Sequence, residues 1–170
     1  MNTNVPTFTL DLSSMLNACE IKSIMKQLGV KYYCYMFMHR STVMKIGMSA
    51  DHDWMRGSFG ERIYRQSFHI PGWPTIAAKG SAGSDMRDVL RNFPTINKND
   101  VCIKVFDLTN IDFAAEMNPK KEVGDFECEL LEWHDRTYGC LPLGNIRDER
   151  KMPKKAQVTD VLFRSLFDEE

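Results

Sequence analysis

The sequence lacks the paired cysteines on which zinc sites and disulfide-stabilised folds depend. Its five cysteines are odd in number, scattered, and include no C-x-x-C pair; they are Cys19, Cys34, Cys102, Cys128 and Cys140. A structural zinc site needs closely spaced thiolates to complete a tetrahedron. The four histidines are equally dispersed, and none stands in an H-E-x-x-H arrangement. We therefore expect reduced, mostly buried thiols in a cytoplasmic protein, with no metal chemistry through histidine or cysteine.

Long apolar runs and an excess of one charge are also missing. No apolar stretch approaches the roughly 18 residues that span a bilayer, and no basic region precedes an apolar segment near residue 1. We therefore expect neither a membrane partner nor secretion. The 22 basic residues nearly balance the 23 acidic ones, for a net charge of −1. This balance argues against a histone-like or basic coat protein, so any contact with phosphate has to come from locally placed charge.

The first half of the chain has two different hydrophobic patterns. Residues 1–10 are polar and indicate a loose arm. Apolar residues then recur at near-helical spacing from Asp11 to Gly29, which predicts one amphipathic helix ending at the glycine. Two β-prone runs follow, Tyr32–Met38 and Val43–Gly47, separated by a short polar stretch. This pattern is typical of an antiparallel hairpin.

The second half alternates helices with one strand. A short helix is predicted over Asp85–Phe93, a third strand over Val101–Leu108, a long helix over Lys121–Tyr138 and a final helix over Thr159–Phe167. The predicted fold is α+β, with a small three-stranded mixed or antiparallel sheet flanked by helices and with extra N- and C-terminal helices.

The chain divides into three parts on this pattern. Residues 1–30 form the N-terminal arm and helix, residues 31–146 form the central domain, and residues 147–170 form a charged linker with the C-terminal helix. A hydrophobic share of 43% is sufficient for one packed core in a chain of 170 residues.

Four segments contain residues with possible catalytic or binding roles, and their order along the chain is informative. Tyr35 stands in the first strand of the hairpin, Lys45-Ile46-Gly47 in the second, Arg56 nine residues after that glycine, and Glu127 in the long helix. Each segment alone is weak evidence of function, since a tyrosine in a strand is ordinarily a core residue and a glycine after K-I ordinarily marks the end of a strand. In their mutual spacing they resemble the GIY-YIG nuclease superfamily, in the branch whose second signature reads K-I-G. The resemblance covers residues 31–146 and is to small stand-alone, phage-type members.

The resemblance implies a metal-dependent endonuclease that hydrolyses DNA phosphodiester bonds, with RNA left open as the alternative substrate. Such a domain uses one Mg²⁺ or Mn²⁺, which retains several waters and needs few protein ligands. By resemblance, Tyr35 orients or deprotonates the nucleophilic water and Arg56 grips the scissile phosphate. An arginine suits that role because its planar fork makes two charge-assisted hydrogen bonds. Glu127 is the implied metal ligand.

Two other glutamates compete with Glu127 as the ligand. Glu127 is followed by Leu130 and Leu131, which matches the E-x-x-aliphatic-aliphatic helix of the family. Glu129 points roughly 200° away from Glu127 on a helix, so at most one of the two faces the site. Glu132 is the third candidate. For all three, a solvated acidic helix face is the alternative interpretation.

The sequence departs from the family pattern at Lys45, where a tyrosine is usual. Lys45 supplies positive charge near the phosphate, donates a proton, or is an ordinary edge-strand lysine. The histidine that some members carry one turn after the arginine is also absent, since Phe59 and Gly60 stand there. These departures motivate an alternative function, a catalytically inactive GIY-YIG-like scaffold that binds nucleic acid or a protein partner. A second alternative is an unrelated α+β interaction protein in which the motif match is accidental.

Further residues are candidates for nucleic-acid contact. Arg62, Tyr64 and Arg65 combine two cations with an aromatic ring and either extend a phosphate-contacting, base-stacking surface or form the outer face of a short helix or strand. Asn145 resembles the asparagine that follows the metal helix in relatives and ties the loop down, although here it directly follows Gly144. The sequence leaves open whether the unit is a monomer or a homodimer.

Overall fold

The computed structural model describes most of the central chain. The residues described are 5–50, 59–67, 69–73, 89–90, 95–110 and 119–145. Several sequence expectations lie outside them: Arg56, the final helix over Thr159–Phe167, and all of residues 147–170. Of the helix predicted over Asp85–Phe93, only residues 89–90 are described, and both are helical.

The centre of the fold is a four-stranded antiparallel sheet with strand order β1-β4-β2-β3. The strands are β1 (Thr7–Asp11), β2 (Tyr33–His39), β3 (Thr42–Ser49) and β4 (Val101–Asp107). The α+β class and the β2–β3 hairpin are confirmed, and β4 begins at Val101 as expected. The central strand β2 pairs with β3 on one side and β4 on the other.

The prediction of three strands was wrong, because the sheet has a fourth. The supposed loose arm contains β1, which pairs with β4 from Thr7↔Phe106 to Asp11↔Cys102. Phe8 and Leu10 alternate with polar residues, so they pack on one face of the sheet while their neighbours stay exposed. The pairing joins residues almost a hundred positions apart, so no local pattern reveals it.

The single helix predicted over Asp11–Gly29 was also wrong. The segment forms a 3₁₀ turn, Leu12–Ser14, and then helix α1 (Cys19–Gln27). The Asp11 carboxylate accepts the Ser13 N–H and caps the turn. The Glu20 carboxylate then accepts the N–H groups of Leu16 and Asn17, so these donors are satisfied outside a helical ladder. The chain ends the helical region at Gly29, whose φ of +69° is the left-handed conformation that glycine favours.

Three layers enclose two hydrophobic cores. Helix α1 and helix α2 (Glu61–Ser67) cover one face of the sheet, where Ile21, Met25 and Ile63 are buried. Helix α3 (Pro119–Tyr138) covers the opposite face through Val123, Phe126, Leu130 and Leu131. The long helix predicted over Lys121–Tyr138 is confirmed. Among the helices that the structure describes, none is long and apolar enough to cross a membrane.

Candidate active site on the β2–β3 hairpin

The two motifs of the hairpin meet at Tyr35 and Gly47, which are partners across the β2–β3 pair. The Tyr35 ring lies over the glycine: a Cβ atom at position 47 would come within 2.5 Å of the Tyr35 Cζ and even closer to its hydroxyl oxygen. Only glycine leaves room for a ring in this position. Tyr35 is 2% exposed and lies between the Tyr33 and Phe37 rings on the same face.

Lys45 lies on the same sheet face as Tyr35. Its partner across the pair is Phe37, two residues beyond Tyr35, and side chains two apart on a strand share a face. The lysine is 5% exposed, and its ammonium donates a hydrogen bond to the Gly144 carbonyl oxygen at 3.3 Å. It is therefore a buried cation held by a backbone carbonyl, and not a solvated edge-strand lysine.

The loop after α3 closes the outer edge of β3. The Asn145 side chain accepts the Ile46 N–H at 2.9 Å and donates to the Ile46 carbonyl at 2.8 Å, as a neighbouring strand would. The Gly144 N–H donates to the Met44 carbonyl at 2.8 Å. Asn145 thus ties the loop to the K-I-G segment, and its amide is engaged there. Nucleic-acid binding by Asn145 stays a prediction.

Gly144 contributes to this contact in a way that its sequence position does not reveal. A Cβ atom there would come within 2.9 Å of both the Lys45 Cβ and the Met44 carbonyl oxygen. The loop can approach β3 this closely because position 144 carries no side chain. The adjacent Gly-Asn pair was the only available sequence signal, and it does not identify which strand the loop contacts.

Tyr33 places a second phenol beside α2. It is fully buried, it is the partner of Ser49 across the β2–β3 pair, and it packs with Ile63 of α2 in the same core. Burial raises the pKa of the Tyr33 phenol far above its usual value, and the nearby Ser49 side chain and Arg62 charge only partly oppose this. Tyr33 is therefore a neutral core residue at neutral pH.

Glu127 lies on α3, against the other face of the sheet. The Cys34 thiol donates to the Val123 carbonyl at 3.4 Å, which fixes α3 over the face opposite Tyr35, since adjacent strand residues point to opposite faces. Burial raises the pKa of the Cys34 thiol well above its usual value, and the negative charge of Glu127 adds to this effect. The structure brings Tyr35, Lys45 and Gly47 together but does not bring Glu127 to their face. Arg56 lies outside the described residues.

The donor chemistry of Glu127 fits a hydrated Mg²⁺ better than that of Glu129. Glu127 is partly exposed, which leaves space for the waters that Mg²⁺ retains, whereas Glu129 is 8% exposed. Glu132 is also partly exposed. Within the described ranges, no three His, Cys, Asp or Glu side chains form a group that could hold a metal. A metal site among these residues would therefore have fewer than three such ligands.

Two of the predicted nucleic-acid-binding residues of α2, Tyr64 and Arg65, form a charge-compensated network with α1, whereas Arg62 is exposed. The residues Gly60–Gln66, for which strand and helix were both open, are helical from Glu61. Arg65 pairs with Glu61 at 2.9 Å, and Lys22 of α1 pairs with the same carboxylate at 3.4 Å. The Lys22 ammonium also lies 4.3 Å from the centre of the Tyr64 ring. Lysine thus lies against the ring on which a base would stack, and base stacking on Tyr64 stays a prediction.

Comparison with protein-family models, with curated proteins and with solved structures finds no match to this chain. The functional interpretation therefore depends on the residues and their geometry alone.

Proposed function

We propose that this chain is a metal-dependent endonuclease of the GIY-YIG type that hydrolyses DNA phosphodiester bonds. The observation that supports it most strongly is the hairpin, where Tyr35, Lys45 and Gly47 lie close together on one sheet face. The order of elements β2, β3, α2, β4 and α3 agrees with the strand–strand–helix–strand–helix order of the superfamily. The tie between Asn145 and Ile46 is a further point of agreement.

The roles of the residues follow from their chemistry. The Tyr35 phenol orients the attacking water, and the Lys45 ammonium provides positive charge on the same face. Arg56 belongs to the connection between β3 and α2, both of which border that face, and its guanidinium grips the scissile phosphate. Glu127 is the residue that would hold the divalent cation, and it lies on the face of the sheet opposite Tyr35. When bound, Mg²⁺ or Mn²⁺ supplies Lewis-acid stabilisation of the charge on the phosphate oxygens.

A second candidate function is favoured by specific observations. Glu127 and Tyr35 lie on opposite faces of the sheet, and Tyr35 and Lys45 are 2% and 5% exposed. A working hydrolase needs its acid–base group within hydrogen-bond reach of the substrate. A catalytically inactive scaffold that binds nucleic acid or a protein partner does not have this requirement.

A nicking assay separates the two functions. Purified protein is incubated with supercoiled and with branched DNA in the presence of Mg²⁺ or Mn²⁺, and the Arg56→Ala and Glu127→Ala variants are compared with wild type. Loss of one preorganised phosphate donor lowers turnover by roughly 10²–10³-fold, so nicking by Arg56→Ala is expected to fall to background. Arg136→Ala is the matched control, because Arg136 is an exposed arginine in the last turn of α3 and is not among the candidate site residues.

The outcomes assign the function and the ligand. Nicking that disappears in both Arg56→Ala and Glu127→Ala, and persists in Arg136→Ala, supports the endonuclease. Loss in Glu129→Ala or Glu132→Ala, with Glu127→Ala active, moves the metal ligand to that residue. Equal background in wild type and every variant excludes the endonuclease and leaves the scaffold or an unrelated interaction protein. Circular dichroism of each variant confirms that the fold is retained.

A further inference from the structure

The sheet has two outer edges, and among the residues that the structure describes only the edge of β3 is covered. The edge of β3 is covered by the loop after α3, through Asn145 on the Ile46 backbone and Gly144 on the Met44 carbonyl. An uncovered edge strand offers unpaired N–H and C=O groups as a template for another strand. The opposite edge is β1.

The direction of the backbone groups in β1 follows from one hydrogen bond. The Asp107 N–H donates to the Pro6 carbonyl at 2.8 Å, so Pro6 and every second residue after it face β4. Thr7 and Thr9 therefore direct their N–H and C=O groups away from the sheet. Their side chains are exposed, and in the part of the chain that the structure describes no strand or loop is paired with this edge.

The composition of β1 does not protect the edge. Natural edge strands carry lysine, proline or a bulge to prevent pairing. The Thr7–Asp11 strand has none of these, and its register with β4 is unbroken. Its only charge is Asp11 at the end, where the backbone carbonyl already accepts the Ser14 hydroxyl at 2.8 Å. The available pairing groups are thus those of Thr7 and Thr9.

We infer that the outer edge of β1 is a self-association surface, at which a second copy of this chain adds its own β1 in antiparallel orientation about Phe8. This register places Thr7 opposite the partner's Thr9 and Phe8 opposite the partner's Phe8. The outward N–H and C=O groups of both threonines are then satisfied, and the two four-stranded sheets become continuous.

A second copy suits this edge for three reasons. The pairing is two-fold symmetric, so one patch serves both subunits. Phe8 is partly buried, and as a non-hydrogen-bonded pair the two rings come close enough to cover each other. No charged residue opposes a like charge in the paired segment, and the net charge of −1 produces almost no repulsion between copies. The inference is independent of the proposed nuclease activity.

Sedimentation velocity over a concentration series tests the association. The weight-average mass of wild type is expected to rise from that of a monomer towards twice that value. Thr9→Pro removes an outward N–H that β4 does not use, and edge strands tolerate proline, so this variant is expected to stay monomeric. Thr9→Val keeps the N–H and is the matched control that should associate like wild type. A wild type that stays monomeric throughout overturns the inference, as does Thr9→Pro associating like wild type.

Disulfide formation tests the register without relying on Thr9→Pro to fold. In a background with the exposed cysteines replaced (Cys19→Ser and Cys140→Ser), Phe8→Cys is expected to form a covalent dimer under mild oxidation. Directly opposed Cα atoms in a non-hydrogen-bonded pair lie about 4.5 Å apart, within disulfide range. Thr9→Cys is expected not to cross-link, because its own copy lies roughly 8 Å away in this register. Cross-linking of Thr9→Cys alone, or of neither variant, overturns the proposed register.

Discussion

The phenol ring of Tyr35 lies on Gly47, directly across the β2–β3 pair. The two residues belong to the two sequence motifs of the hairpin. The Tyr35 ring packs directly on the Cα atom of the glycine. The glycine of K-I-G is therefore more than a strand-end signal, because its missing side chain fixes where the tyrosine hydroxyl lies.

Gly47→Ala is expected to destabilise the protein by about 1–3 kcal/mol, because the new methyl group overlaps the Tyr35 ring. Gly124→Ala in α3 is the matched control. A Cβ there makes only an ordinary contact with the Met48 methyl at 3.6 Å, and alanine gains roughly 0.5–1 kcal/mol in a helix interior. Urea unfolding measures both. Equal stabilities of the two variants would contradict the packing of Tyr35 on Gly47.

Asn145→Ala is expected to cost about 1–3 kcal/mol, because it leaves the Ile46 N–H and C=O without their hydrogen-bond partner. Amide hydrogen exchange at Ile46 is the direct measurement, and exchange there should become faster in the variant. Exchange at Gly47, whose backbone faces β2, is the internal reference. An unchanged Ile46 exchange rate would mean that the loop does not close this edge in solution.

Lys98→Met is expected to destabilise the protein by roughly 1–3 kcal/mol. The buried ammonium donates to the carbonyls of Leu12 and Met15 at 3.1 and 3.0 Å and lies 5.0 Å from the Trp73 ring centre. In the variant both carbonyls lose the ammonium donor, and the Leu12 carbonyl keeps only the Met15 N–H at 3.3 Å. Lys121→Met on the exposed side of α3 is the control and should stay within about 0.5 kcal/mol of wild type. A Lys98→Met variant as stable as wild type would show that the 3₁₀ turn does not depend on this lysine.

The stability of the fold is expected to decrease as the pH falls below about 6.5, the ordinary histidine value. Burial lowers the pKa of His134, whose Nδ1 lies 2.6 Å from the Cys140 carbonyl oxygen and donates to it. The folded state therefore favours the neutral ring, so its stabilisation is complete above the unfolded-state pKa and is lost as the pH falls towards the lower folded-state pKa. An NMR titration of His134 should give a midpoint below that of an unfolded peptide, and a higher midpoint would contradict this.

Local patterns predicted the hairpin, β4 and α3, because each has its own period or β-prone composition. They did not predict β1. The alternation of Thr7–Asp11 was present as a signal, but it spans five residues beside a proline, and its partner is β4. The break before α1 was also missed. Lys98 takes the carbonyls of Leu12 and Met15 there, and this contact across more than eighty residues has no local signature.

The candidate site was predictable in part for the same reason. The hairpin was predictable, but Tyr35 and Lys45 share a face only because the β2–β3 register shifts between Phe37 and Met38, which places Lys45 opposite Phe37. The face on which a later helix packs depends on the whole fold, so sequence spacing did not reveal that α3 carries Glu127 against the face opposite Tyr35. The burial of Lys45 under Gly144 was not predictable either, because the two residues are 99 positions apart in the sequence.

The most direct test of the proposed activity compares two tyrosines two residues apart. Tyr35→Phe and Tyr33→Phe each remove one hydroxyl from the same strand face and leave the ring in place. Nicking of supercoiled DNA with Mn²⁺ is measured for both variants, alongside their stability. The proposal predicts that Tyr35→Phe loses nicking while it remains folded, and that Tyr33→Phe keeps nicking. Wild-type nicking rates in Tyr35→Phe would contradict the assignment of Tyr35 as the residue that orients the water.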